Sequence, residues 1–166
     1  MVRKENGKSV RIFWNGQINE QQFIETMEHI RLDSIRKQVE KGIDLIPIGD
    51  FSLYDHVLDT AFMFGYIPER FQQIDNALEQ YFAMARGTNG QHALEMTKWF
   101  NTNYHYIVPE IGQTKPKLVE NRLLKEYKLI KETFHIETNL YCLDRLHFFC
   151  FLNNTNEMSG VNISPS

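Results

Sequence analysis

The stretch Gly42–Asp50, GIDLIPIGD, decides the fold class. Ile43, Leu45, Ile46 and Ile48 form a short apolar run with a glycine at each end and an aspartate directly behind it. A run of this kind, with little alternation of polar and apolar residues, suits a strand buried on both faces of a parallel sheet. Parallel strands need crossover connections, usually helical, so the flanking sequence should read as helix.

It does on both sides. Upstream, Asn19 is a good N-cap, and Phe23, Ile24, Met27, Ile30 and Ile35 form a broad apolar stripe that ends before Gly42. Earlier still, residues 3–14 predict a short helix weakened by Gly7. Downstream, helices are expected at Ser52–Phe64 and Ile74–Arg86, punctuated by Gly65, Pro68 and the loop Gly87–Gly90. Glu95–Phe100 adds a turn of helix, and Tyr104–Val108 a second strand. A last helix starts near Pro116, with Val119, Leu123, Tyr127, Ile130 and Phe134 on one face. Helices alternating with short strands predict an α/β class.

Composition narrows the function. The 166 residues carry a formal charge of −3 with both signs interspersed. With no basic stripe, nucleic acid and anionic membrane surfaces are not expected partners. No apolar run approaches the roughly 20 residues of a transmembrane helix, and MVRKENGKSVR lacks the apolar core of a signal peptide. A cytoplasmic location is the expectation. Cys142 and Cys150 are too few for a disulfide framework and read as free thiols.

Two long runs carry more specific information. Asp44–Arg70 reads DLIPIGDFSLYDHVLDTAFMFGYIPER, and Glu95–Glu110 reads EMTKWFNTNYHYIVPE, with Trp99, Phe100, Tyr104 and Tyr106 around the single lysine Lys98. Together they resemble the amino-terminal domain of cobalamin-independent methionine synthase. That family moves a methyl group from methyltetrahydropteroyl-polyglutamate to homocysteine with a zinc ion. The resemblance covers roughly residues 12–138. It implies a partial (β/α)8 barrel, incomplete at both ends, since a whole barrel takes about 250 residues.

The resemblance also implies what the piece lacks. The family's zinc, with its histidine, cysteine and glutamate ligands, belongs to the carboxy-terminal barrel, and no residue here matches those motifs. Zinc activates homocysteine as a thiolate for attack on the folate methyl group. The expectation is therefore a truncated member of a methyltransferase family, inactive alone, with no cofactor of its own, the product of a damaged gene. The alternatives are a non-catalytic module binding folate polyglutamates weakly, and a protein that docks on an intact synthase.

Beyond Thr138 the resemblance stops. Only Asp144, Arg145 and Glu157 carry charge there, both cysteines fall there, and LHFFCFL and NNTN follow. A reading-frame change near residue 139 accounts for this, because a random-frame tail has no reason to keep the pattern of folded elements. Short strands at Leu140–Leu143 and Phe148–Leu152 are the competing reading. The expected organisation is residues 1–138 as a partial barrel domain and 139–166 as a non-family tail.

Among individual residues, the resemblance places Lys98 at a contact with the polyglutamate tail, where an ammonium suits a carboxylate-rich ligand. The family's second tail contact corresponds to Lys4, Glu5, Asn6 and Gly7, of which only the glutamate is retained, so tail binding there is weak. Lys8, one place on, is rotated about 100° around a helix. Asp50, at the carboxyl end of the first strand, reads better as an N-cap for the helix near Ser52 than as a cleft residue. His56 and Asp59, one helical turn apart, suit a local hydrogen bond, and His105 a satisfied core or cleft histidine. Cys142, His147 and Cys150 form a C-x4-H-x2-C array, but no zinc is expected on it.

Overall fold

The computed structural model describes residues 2–110, 115, 117–136 and 140–142. In chain order its elements are α1 (Val2–Trp14), α2 (Glu20–Glu40), β1 (Ile46–Ile48), α3 (His56–Met63), α4 (Ala77–Arg86), β2 (Met96–Lys98), β3 (His105–Ile107), α5 (Arg122–Phe134) and β4 (Leu140–Cys142), with a 3-10 turn at Glu69–Phe71. The class is mixed α/β. The described residues divide into two compact units, residues 2–53 with 121–142, and residues 54–120.

The first unit is built around β1. Asn19 caps α2 in a reciprocal box: its Oδ1 accepts from the Gln22 N–H at 2.9 Å, and its own N–H donates to Gln22 Oε1 at 3.0 Å. Phe23, Met27 and Ile35 are the buried face of that helix. Ile24, counted in the apolar stripe, is exposed. Phe13 stacks on Phe23 with ring centroids 4.6 Å apart, so α1 gains from packing on α2 what Gly7 costs it in propensity.

Ile35, Ile46, Ile48 and Ile130 form the core of this unit, with Tyr127, Phe134 and Ile136 against it. A fully buried side chain such as Ile130 contributes about 1.5–3 kcal/mol. β1 pairs in parallel with β4, Ile46 opposite Leu140 and Ile48 opposite Cys142. The strand expected at Ile43–Ile48 is narrower: Ile43 and Leu45 are exposed, and pairing begins only at Ile46.

In the second unit α3 begins at His56, not Ser52, because Asp55 and not Asp50 is its cap. Asn76 caps α4 through the Glu79 N–H at 2.8 Å, and Tyr81, Phe82 and Met84 are buried along it. The helix ends at Gly87, φ +78°, where a Cβ would meet the Gln91 carbonyl oxygen at 2.6 Å and the Ala93 nitrogen at 2.9 Å. Only glycine takes that conformation and that approach without cost.

Glu95–Phe100 is not helical. Met96–Lys98 forms one arm of an antiparallel hairpin with His105–Ile107. Thr97 and Trp99 favour extended backbone, and the cross-strand partners that decide the matter lie seven to eleven residues on. The final helix also starts later than Pro116: Asn121 caps α5, accepting from the Leu124 N–H at 2.9 Å, and Val119 lies outside it and exposed. Residue 116 lies outside the described residues, as does the strand expected at Phe148–Leu152.

Candidate functional site

The second unit gathers most of its polar organisation around one carboxylate. Asp55 is 4% exposed. Its Oδ1 accepts from the backbone N–H groups of Val57 and Leu58, each at 3.0 Å, and from Ile107 at 3.3 Å. Its Oδ2 accepts from the Tyr104 hydroxyl at 2.7 Å. One side chain thus caps α3 and holds β3 by its backbone and by the tyrosine that precedes it. Burial pushes the Asp55 carboxyl above its ordinary range, while the hydrogen bonds from Leu58, Tyr104 and Ile107 pull the other way and nearby Asp59 adds to the rise.

Tyr81 extends the network. Its hydroxyl donates to Asp59 Oδ1 at 2.6 Å and accepts from the N–H groups of Tyr54 and Asp55 at 3.1 and 3.3 Å. Asp59 therefore bonds a tyrosine from α4, a partner that its spacing from His56 does not reveal.

The hairpin held by Asp55 has two different faces. Thr97 lies opposite Tyr106, and Lys98 opposite His105. Successive side chains on a strand alternate in direction, so Lys98 and His105 share one face. Trp99 belongs to the other, with ring centroids 5.8 Å from Tyr106 and 6.2 Å from Tyr104. Tyr106 also packs against the buried cluster of Val57, Ala61 and Tyr66. Trp99, Tyr104 and Tyr106 thus anchor the hairpin rather than enclose the ammonium, and Phe100 is exposed. Lys98 itself is exposed. His105 is exposed too, with Nδ1 3.2 Å from the Asn103 carbonyl oxygen, and is not the core or cleft histidine expected.

At the base of the hairpin Arg70 meets Glu110 through two hydrogen bonds of 2.5 and 2.6 Å. Arg70 Nε donates to the His92 carbonyl at 3.3 Å, Gln91 Nε2 donates to the Arg70 carbonyl, and the guanidinium lies over the Phe71 ring. The pairing holds the Glu110 carboxyl below its usual range.

The first unit holds a second charged cluster. Asp50 stands exposed behind β1, and Glu126, on α5, is 5% exposed. Glu126 accepts from the Gly49 N–H, and its Oε1 lies 4.0 Å from Arg31 Nε. Arg31 also lies over the Phe51 ring at 4.8 Å. Burial pushes the Glu126 carboxyl up, Arg31 and the Gly49 N–H oppose this, and Asp50 adds to it. Sequence reading missed both Glu126 and Asp55. The available signals were an acid between Leu123 and Ile130 on an apolar helix face, and an aspartate just before an apolar helix.

Lys4, Glu5, Asn6 and Gly7 lie within α1, in the first unit, whereas Lys98 lies in the second. Of the C-x4-H-x2-C array only Cys142 lies among the described residues. Among those residues no group of three or more histidine, cysteine, aspartate or glutamate side chains could hold a metal ion, and no helix is long and apolar enough to cross a membrane.

Comparison with known proteins gives a consistent picture. Residues 2–160 match the family described as cobalamin-independent synthase, N-terminal domain. Over 137 residues the chain is 52% identical to the 5-methyltetrahydropteroyltriglutamate–homocysteine methyltransferase of Bacillus thuringiensis (strain Al Hakam). The proteins of that name from Bacillus cereus strains AH820 and ATCC 10987 are as similar. Each match covers 82% of this chain and 18% of the relative.

Proposed function

Because this chain belongs to the cobalamin-independent methionine synthase family through its N-terminal domain, we propose that these residues provide a surface for the polyglutamate tail of a folate, with Lys98 as its cationic contact. Taken by themselves they do not transfer a methyl group. The β1–β4 parallel pair and the helices α2 and α5 of its unit are, on this reading, part of a (β/α)8 barrel. The observation that carries the proposal is the exposed Lys98 on a hairpin fixed from behind by Asp55 and three aromatic rings. A flexible ammonium on a rigid strand suits a ligand rich in carboxylates. The relatives' name specifies a triglutamate.

The zinc that the family uses does not fit the described residues, which offer no ligand set for it. In an open site the attraction is screened by salt, so affinity is expected in the high-micromolar to millimolar range, an order-of-magnitude figure.

Titration of the chain and of Lys98→Ala with triglutamyl and monoglutamyl methyltetrahydrofolate tests the tail contact. Stronger binding of the triglutamate, lost in the variant, supports it; equal binding of both ligands by both proteins removes it. A methyl-transfer assay and metal analysis test the second half. Homocysteine methylation that survives removal of contaminating synthase would show the chain to be an enzyme in its own right.

A further inference from the structure

Lys98 has a partner that the family resemblance did not assign. His105 lies directly opposite it in the hairpin register, and both side chains are exposed. Opposed residues of an antiparallel pair place their Cβ atoms about 5 Å apart on one face. The placement is rigid. On either side of His105, the Tyr104 hydroxyl and the Ile107 N–H both bond the buried Asp55 carboxylate, and the Trp99 N–H donates to the Tyr104 carbonyl at 2.8 Å. The ladder therefore presents ammonium and imidazole side by side to solvent.

The imidazole has a defined orientation. A carbonyl oxygen only accepts, so Nδ1 must carry the proton that it donates to Asn103. In the neutral ring that leaves Nε2 as an acceptor, which repels a carboxylate. Only the imidazolium offers an Nε2–H to an anion.

We propose that His105 is a second tail-contacting residue, which as its imidazolium takes a ligand carboxylate jointly with Lys98, so that binding of the tail draws a proton from solvent onto Nε2. The inference rests on Lys98 being a tail contact. Without a ligand, two cations directly opposite each other repel. A carboxylate between them removes that repulsion and favours the protonated ring.

The other ionisable groups on the elements against β3 are engaged elsewhere. On α3, the Asp55 oxygens serve the helix cap, Tyr104 and Ile107, and Asp59 serves Tyr81. His56 is the first residue of α3 and has no place in the hairpin register. On β2, Lys98 is the charged residue across from His105, and Glu95 precedes the strand on the alternate side.

The test follows the His105 ring by NMR through a pH titration of the full chain, with and without triglutamyl methyltetrahydrofolate, and measures affinity at about pH 6 and about pH 8. The expected result is a ligand-induced rise in the midpoint of His105, with no comparable rise for His56, and affinity about threefold higher at the lower pH, the scale of an exposed ion pair. His105→Gln should lose this pH dependence, and His105→Lys should bind equally well at both. A pH dependence unchanged in His105→Gln, or a midpoint that the ligand does not move while Lys98→Ala still weakens binding, overturns the proposal. If Lys98→Ala binds both folates as the unaltered chain does at either pH, the tail-contact reading itself fails.

Discussion

Arg70 and Glu110, the last residues of the two sequence runs by which this chain resembles its family, bond each other side by side at 2.5 and 2.6 Å. The contact spans 40 positions of sequence. It closes the second unit at the base of the hairpin, just as Asp55 holds it further up.

That pair makes a pH prediction. The Glu110 carboxyl is held below its ordinary 4.5 by Arg70, so the stability it contributes is fully present above about pH 4.5 and is lost as pH falls through the lowered value. With side-chain exposures of 33% and 47%, solvent screening limits that contribution to about 0.5–1 kcal/mol. Glu110→Gln should therefore lower the denaturation midpoint slightly at neutral pH, and progressively less as pH falls below about 4.5 and through the lowered value. A difference that persists in acid would mean that the hydrogen bonds, not the charge, provide the effect.

Asp55 behaves in the opposite sense. Its carboxyl is raised by burial, so the folded chain is favoured below about pH 3.8 and loses that advantage as pH rises through the raised value. Asp55→Asn keeps a cap acceptor without the charge and should flatten this part of the stability profile. Asp55→Ala removes the cap and leaves the Tyr104 hydroxyl and Ile107 N–H without their acceptor. The expected cost is about 3 kcal/mol. Urea unfolding of both variants between pH 3 and 8 measures these effects, and an alanine variant as stable as the asparagine one would refute the role given to Asp55.

Glu126 and Arg31 test the first unit. Removing one partner of a buried pair leaves the other charge uncompensated, at about 3–5 kcal/mol in well-buried cases, and nearer the lower figure here because Arg31 is part-exposed. Arg31→Ala should therefore destabilise strongly, and Glu126→Gln in the same chain should restore much of the loss. The double-mutant cycle reads this directly. Additive losses would show that the 4.0 Å contact carries no coupling.

The segment beyond Thr138 can be divided by truncation. β4 pairs with β1 across Leu140–Cys142, so ending the chain after Thr138 should lower the unfolding midpoint and broaden the transition. Ending it after Leu143 should leave the midpoint unchanged if the remainder is the non-family tail proposed for it, and should raise solubility by removing LHFFCFL. Loss of cooperative unfolding in the longer truncation product would assign the later residues to the fold as well.

The sequence by itself determined the α/β class, the capped helix after Asn19, the approximate places of the strands at Ile48 and Ile107, and the family. Each of these depends on local periodicity, on a short-range cap or on a long motif, all of which are properties of neighbouring residues. What only the tertiary structure decided depends on partners distant in the chain. Glu95–Phe100 has ambiguous local propensity and becomes a strand because His105–Ile107 pairs with it. Asp55, not Asp50, caps α3, a choice made with help from Tyr104 and Ile107, roughly fifty residues away. The surroundings of Lys98 depend on the same pairing: alternation along the strands turns Trp99, Tyr104 and Tyr106 to the opposite face, where Tyr106 packs on a buried cluster, while Lys98, His105 and Phe100 are exposed.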